Sequence, residues 1–318
     1  MNEDTDSSRD APPPAEAAPH AATRCGFVAL IGAPNAGKST LVNALVGAKV
    51  SIVSRKVQTT RAQMRGIALE GAAQIVFVDT PGIFAPKRRL DKAMVTSAWG
   101  GAGDADMVAL LVDARKGIDE EVGAILRRLP ELRQTVVLVL NKIDLVERPS
   151  LLGLAAQLNT AHAFSETFMI AALNGDGVGT FRARLAQLMP PGPWLYPEDE
   201  VSDAPLRLLA AEITREKLYE RLHDELPYQS TVETDQWKVQ RDGSARVEQT
   251  IFVTRESQRK IVLGKNGQTI KAIGATARRE IAEAAECKVH LFLFVKVREN
   301  WTDDPERYRE MGLEFPRG

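Results

Sequence analysis

Between residues 25 and 189, short apolar runs alternate with segments whose apolar residues recur at helical spacing. The runs at 25–31, 75–78, 107–112, 136–140 and 168–171 are rich in Val, Leu, Ile and Phe, and predict strands buried on both faces. Such strands separated by amphipathic helices predict an α/β unit, a mainly parallel sheet with helices on both sides. Ligands of these sheets bind outside the carboxyl ends of the strands.

The pattern breaks at 190–205, where Pro190, Pro191, Pro193, Pro197 and Pro205 stand among acidic residues. That composition predicts a stiff linker and a domain boundary. Beyond it, 206–226 has helical spacing and ends before Pro227, while 231–239 and 245–253 read as strands joined by a turn at Asp242-Gly243. Two helices flank Gly264 to Gly267, and 289–297 is a last strand. The order α-β-β-α-α-β describes a smaller α+β domain. The expected division is a disordered arm at 1–24, a nucleotide domain at 25–190, the linker at 191–205, and a second domain with a C-terminal tail at 206–318.

Composition narrows the function classes. A length of 318 residues suits two domains. The net charge of −1 places any nucleic-acid footprint on a local patch. The 2 cysteines, Cys25 and Cys287, have no metal-ligand spacing and fit a reducing cytosol. No apolar run has the length of a membrane span. Residues 1–24 lack the apolar centre of a signal peptide and are too acidic for a transit peptide.

The candidate chemistry begins after the first strand. Gly32-Ala33-Pro34-Asn35-Ala36-Gly37-Lys38-Ser39 fits the phosphate-loop pattern G-x-x-x-x-G-K-[ST] between a strand and a helix, with Thr40 next in line. Backbone N–H groups cradle phosphate in such a loop. Lys38 reaches the β- and γ-phosphates, and the Ser39 hydroxyl ligates Mg²⁺. Asp79-Thr80-Pro81-Gly82 follows the next buried strand, which places a carboxylate near Mg²⁺ and the Gly82 N–H near the γ-phosphate. In the polar segment 54–65, Thr60 is favoured over Thr59 as the residue that closes on Mg²⁺.

Asn141-Lys142-Ile143-Asp144 selects the base. A carboxylate only accepts hydrogen bonds, and guanine offers two adjacent donors where adenine offers none. Rejection of ATP on that ground is on the order of 10⁴-fold. Arg55, Lys56, Arg61 and Arg65 make a basic loop nearby. Two readings stay open for it: a contact with RNA or a partner, or a solvated face.

In the second domain, Gly264-Lys265-Asn266-Gly267 is a G-x-x-G loop between helices, and two glycines let a sugar–phosphate backbone approach closely. Arg255, Arg259, Lys260, Lys265, Lys271, Arg278 and Arg279 form a basic stripe around it. Ile261, Leu263, Ile270 and Ile273 have the spacing of a core-facing stripe.

The order of these motifs resembles the translation-factor-like GTPases, in the Era branch. The G-x-x-G loop within its α-β-β-α-α-β order resembles a type II KH domain. Tyr196-Pro197-Glu198-Asp199, Arg215-Glu216-Lys217-Leu218 and Glu225-Leu226-Pro227-Tyr228 extend the resemblance across the join. It implies a P-loop GTPase domain followed by a smaller KH domain. It also implies binding to 16S rRNA near its 3′ end, assistance to the 30S subunit precursor, a monomer in the cytoplasm, and peripheral association with the inner membrane. Ala171-Ala172-Leu173 matches the family's guanine loop with Ala171 in place of serine, so the Ala172 N–H is expected to meet guanine O6. Ile83 stands where Ras-like enzymes carry the water-orienting glutamine. Asn35 resembles an asparagine that coordinates K⁺ in related GTPases; the alternative is that it only shapes the loop.

Overall fold

A computed structural model describes residues 23–54, 56, 59–223, 225–299 and 301–316. The expected arm lies outside the described residues as far as residue 22, and so does Arg55.

The leading unit holds β1 (Arg24–Gly32), β2 (Met64–Glu70), β3 (Ala73–Asp79), β4 (Met107–Asp113), β5 (Thr135–Asn141) and β6 (Thr167–Ile170) in one sheet, ordered β2-β3-β1-β4-β5-β6. Every pairing is parallel except that of β2 with β3. β1 starts at Arg24, inside the segment expected to be the arm. β2 was not legible as a strand, because it is an edge whose order comes from hydrogen bonding to β3.

Alternate residues of β1 face two cores. Val28 and Leu30 join Leu41, Phe77 and Phe181, whereas Ala29 and Ile31 join Trp99, Leu110 and Leu138. Helices α1 (Lys38–Val46) and α5 (Val178–Leu188) cover the first face. Helices α2 (Arg89–Asp104), α3 (Glu120–Arg128) and α4 (Arg148–Ala161) cover the second. Each fully buried Leu, Ile or Phe contributes roughly 1.5–3 kcal/mol, so the uninterrupted apolar strands are what two covered faces require. Parallel register pairs Leu30 with Asp79 and Asp113 with Asn141, which gathers the loops after β1, β3, β4 and β5 on one edge.

The proline-rich segment 191–205 is docked on the sheet edge. The Ile67 N–H donates to the Val201 carbonyl at 2.9 Å. The buried Gln74 amide receives the N–H groups of Leu195 and Tyr196 and donates to the Tyr196 carbonyl at 2.8 Å.

The second unit has α6 (Leu206–Arg221), β7 (Ser230–Val239), β8 (Ala245–Val253), α7 (Glu256–Leu263), α8 (Gln268–Ala284) and β9 (Val289–Val297). β8 is central, antiparallel to β7 and parallel to β9. The helix expected over 206–226 stops at Arg221. Leu222 turns extended there, and both Leu222 and Leu226 are thereby packed into the core with Val232 and Ile251. The expected apolar stripe also divides. Ile273 is buried and Ile270 packs at the core edge, but Ile261 is 56% exposed on α7. After β9, helix α9 (Pro305–Glu310) brings Trp301, Tyr308 and Leu313 against Leu90 and Met94 of α2. The C-terminal tail therefore packs on the leading unit.

Candidate functional site

The loop between β1 and α1 lines a small cavity of about 60 Å³ with Pro34, Asn35, Lys38, Ser39, Thr40, Thr60 and Gly82. Lys38 is buried, and its Nζ donates to the Gly32 and Ala33 carbonyls at 3.0 and 3.1 Å. Burial lowers its pKa to about 8, against the pull of Asp79 and Glu121. Asn35 takes a left-handed backbone with φ of 62°, which asparagine tolerates better than most residues. That gives it a loop-shaping role whatever its side chain does.

Asp79, at the end of β3, is fully buried. Its Oδ2 accepts hydrogen bonds from the Ser39 and Ser51 hydroxyls, both at 2.6 Å, while its buried Oδ1 has no hydrogen-bond partner. Burial pushes this carboxyl up, and the Ser39 and Ser51 hydrogen bonds and Lys38 oppose that. Thr60 Oγ1 lies 2.9 Å from Ser39 Oγ. Ser39, Thr60 and Asp79 thus form a compact all-oxygen set, the donor chemistry of Mg²⁺, with one carboxylate oxygen unengaged. Thr59 also lines the cavity, with its hydroxyl donating to the Lys56 carbonyl.

Thr80 and Ile83 differ from a nucleotide-facing pair. The Thr80 hydroxyl donates to the Leu30 carbonyl at 2.7 Å, so the side chain joins β3 to β1 and does not face the cavity. Pro81 and Gly82 continue the turn, Gly82 packs on Pro34, and the Ile83 N–H donates to the Gly32 carbonyl at 3.0 Å. The Ile83 side chain is buried with Trp99 and Ala98. It neither reaches nor orients a water.

Asn141, at the end of β5, holds three loops together. Its Nδ2 donates to the Ala36 carbonyl at 2.8 Å, and its Oδ1 accepts from the Lys142 and Ala172 N–H groups at 2.8 and 3.0 Å. Gly37 makes this possible: its φ is 102° and a Cβ there would collide with Asn141 Nδ2. The Ala172 N–H, expected to meet guanine O6, donates to the buried Asn141 amide oxygen. Ala171 is held by its N–H to the Asp176 carbonyl, and Leu173 is 89% exposed at the tip. Asp144 sits exposed in a short 3₁₀ turn, Ile143–Leu145.

Asp113 is a site residue that motif reading missed. Lys142 Nζ bridges the Asn35 carbonyl and Asp113 Oδ2, each at 2.6 Å. Burial opposes ionisation of Asp113, but hydrogen bonds from Arg115 and Lys142 outweigh it and hold the carboxyl at about 2. The available signal was its place at the end of β4, in register with Asn141.

The basic loop after α1 belongs to neither expected class, since much of it is packed on the second unit. Arg61 is buried, donating to the Ser230 carbonyl at 2.9 Å, the Tyr219 hydroxyl at 3.1 Å and the Tyr228 carbonyl at 3.2 Å. Lys56 donates to the Tyr219 carbonyl, and Arg65 pairs with Asp203 at 2.9 Å. Lys49 Nζ joins Glu216 of α6 and Glu280 of α8 at 2.5 and 2.6 Å. Glu216 also accepts the Val53 N–H at 2.7 Å.

In the second unit, Gly264 has φ of 70°, and a Cβ there would collide with Thr269. Lys265, Asn266 and Gly267 form a 3₁₀ turn with Asn266 left-handed at φ of 53°. Arg255, Lys260, Lys265 and Lys271 are exposed around it. Arg259 is more committed than expected: it donates to the Val295 carbonyl at 3.2 Å and pairs with Glu256 at 2.9 Å, tying α7 to β9. A groove of about 320 Å³ between α8 and β9 is lined by Ile270, Lys271, Gly274, Arg278, Leu291 and Leu293. An apolar floor with cationic walls beside a glycine loop suits a single-stranded nucleic acid. Among the described residues, no helix is long and apolar enough to cross a membrane.

Known proteins share both units. Residues 27–142 match a family described as 50S ribosome-binding GTPase, and residues 225–302 match the KH domain. The chain is 72% identical over 295 residues to the GTPase Era of Afipia carboxidovorans, covering 93% of this chain and 96% of that one. It is 69% identical over 297 residues to that of Bradyrhizobium diazoefficiens, with the same coverage. Two solved structures superpose with a TM-score of 0.86 at 36% identity, covering 91% of this chain and 99% of theirs. One is a variant Era of Aquifex aeolicus bound to GDP·AlF4⁻; the other is Era with MgGDPNP and nucleotides 1506–1542 of 16S ribosomal RNA. With a phosphate loop, a guanine-reading loop and a KH fold in one chain, this protein belongs to the GTPase Era family.

Proposed function

We propose that GTP binding times a grip on 16S rRNA near its 3′ end, and that this grip assists maturation of the 30S precursor. Gly32, Ala33, Pro34, Asn35, Ala36, Gly37, Lys38, Ser39 and Thr40 hold the phosphates, with Lys38 on the β- and γ-phosphoryl oxygens. Gly82 N–H meets the γ-phosphate. Asp144 accepts the two guanine donors, and Lys142 and Asn141 brace the loop beneath. Ala172 N–H meets guanine O6, beside the Asn141 amide oxygen that also receives it. Ser39, Thr60 and Asp79 hold Mg²⁺, which when bound neutralises charge on the transferring phosphoryl group. The attacking water is oriented by a group other than Ile83. Arg255, Lys260, Lys265 and Lys271 hold the RNA backbone over Gly264 to Gly267, with bases in the groove above Ile270 and Leu293.

The observation that carries the coupling is the Lys49 cluster. One ammonium joins the segment that runs to Thr60 with α8, the helix that opens at the G-x-x-G loop. A ligand shifts an equilibrium only as far as it prefers one state, so GTP must favour one arrangement of this contact. RNA affinity measured with a non-hydrolysable GTP analogue should exceed that measured with GDP. Equal affinities remove the coupling.

An rRNA partner supports a reading in which the protein works in the cytoplasm. Peripheral association with the inner membrane is a further expectation, and membranes sedimented at low ionic strength that retain none of the protein would count against it.

A further inference from the structure

We propose that the KH unit supplies a positioning residue for GTP hydrolysis: Arg215 of α6 holds Thr60 in its metal-facing place. Arg215 is 1% exposed and donates from Nη2 to the Thr59 carbonyl at 2.5 Å. The peptide unit is planar, so fixing the Thr59 carbonyl also fixes the direction of the Thr60 N–H on the far side of the same plane. Arg215 is itself held by Glu212, whose Oε1 accepts from its Nε at 2.8 Å, and its guanidinium lies 5.2 Å from the Tyr219 ring centroid.

The residue on the other side of Thr60 is fixed by the same unit. Arg61 is anchored to Ser230, to the Tyr219 hydroxyl and to Tyr228, and its guanidinium lies 5.5 Å from the Trp301 ring. Thr60 therefore sits between two residues clamped by the KH unit, with its hydroxyl 2.9 Å from Ser39 Oγ. A threonine in a surface segment loses conformational entropy when it closes on a metal. Here the segment is restrained in advance by contacts more than 150 residues distant in sequence, at separations of 156 for Arg215 to Thr59 and 169 for Arg61 to Ser230. Such pre-organisation accelerates a phosphoryl transfer that depends on placement and charge.

This inference rests on the reading that Thr60 ligates Mg²⁺, and the test separates the two. In the full chain, Arg215→Lys keeps the charge but loses the planar fork. It should lower kcat for GTP about tenfold and raise the Mg²⁺ concentration for half-maximal rate, in line with loss of one charge-assisted hydrogen bond. GDP affinity, which does not use Thr60, should stay within about twofold, since the clamp acts only on the closed segment. Tyr219→Phe removes one anchor of Arg61 with little change in shape, and should show the same pattern at about threefold. It decides the matter if Arg215→Lys does not fold. Thr60→Ala is measured alongside. If Thr60→Ala loses activity while Arg215→Lys and Tyr219→Phe keep normal kcat, the clamp is overturned and the Thr60 reading stands. Normal activity in Thr60→Ala overturns both. Equal losses of GTP turnover and GDP affinity mark a purely structural role and also overturn the clamp.

Discussion

Asn141 donates its side-chain amide to the Ala36 carbonyl at 2.8 Å, so the loop after β5, proposed to read the base, is fastened directly to the loop after β1, proposed to hold the phosphates. Asn141→Ala strands the buried Ala36 carbonyl and frees the Ala172 and Lys142 N–H groups. Unpaired buried groups cost about 1–3 kcal/mol each. GDP and GTP affinity should both fall on the order of 10²-fold, measured by fluorescent-nucleotide titration. A loss confined to GTP would mean that the clasp serves the γ-phosphate side only.

The Lys38 ammonium gives the site a pH dependence. Burial lowers its pKa to about 8 in the free protein, and bound phosphates stabilise the charged form and raise it. The complex then holds a proton that the free protein has begun to lose. Nucleotide affinity is therefore fully present below pH 8 and declines as pH rises beyond it, and binding near pH 8 takes up about half a proton. Calorimetry in buffers of different ionisation enthalpy measures that uptake. The folding linkage has the opposite direction. An unfolded lysine binds protons up to pH 10.5, so without nucleotide this group's contribution to stability rises between about pH 8 and pH 10.5.

Asn35 has two candidate roles that one pair of measurements separates. Its φ of 62° is a backbone reason for asparagine, and glycine meets that reason equally well. Asn35→Gly should keep GDP affinity within about threefold, because the loop shape survives. If the side chain also ligates K⁺, exchange of K⁺ for Na⁺ should slow the parent and leave Asn35→Gly unchanged. A parent rate indifferent to the cation leaves Asn35 with the structural role alone.

What could be read in the sequence was whatever sits beside its own cause. The phosphate loop, Asp79 to Gly82 and Asn141 to Asp144 each follow a buried apolar strand, and parallel register alone brings those strand ends together. The basic loop was misjudged because what satisfies Arg61 and Lys56 are carbonyl groups of Ser230, Tyr228 and Tyr219 in a different unit. No local pattern announces such partners. The motif shows the Ala172 amide but not the buried Asn141 oxygen that receives it. Asp113 escaped notice because a lone carboxylate at a strand end carries no motif, and only Lys142 and Arg115 reveal it. Ile261 follows the helical period of a core residue, but α7 has only 8 residues and buries Val262 alone.

Gly264→Asp separates the two activities of the chain. Gly264 has φ of 70°, a conformation that aspartate adopts at a cost, and any Cβ would meet Thr269. On the proposed RNA surface, the added carboxylate beside Lys265 and Lys260 would repel phosphate. RNA affinity should fall at least about 100-fold, combining loop strain with charge reversal at a phosphate contact. Gly264 precedes the first turn of α8, whereas Glu280 lies near its end and Arg215 on α6, so GTP turnover without RNA should remain within about twofold. If the exposed cations Arg255, Lys260, Lys265 and Lys271 hold the RNA backbone as proposed, the parent's RNA affinity should fall steeply and linearly on a log–log plot against salt. RNA binding by Gly264→Asp at parental affinity would move the RNA surface away from this loop. The open face of the sheet, where Phe292 and Phe294 are 42% and 48% exposed, would then be the next surface to probe by crosslinking.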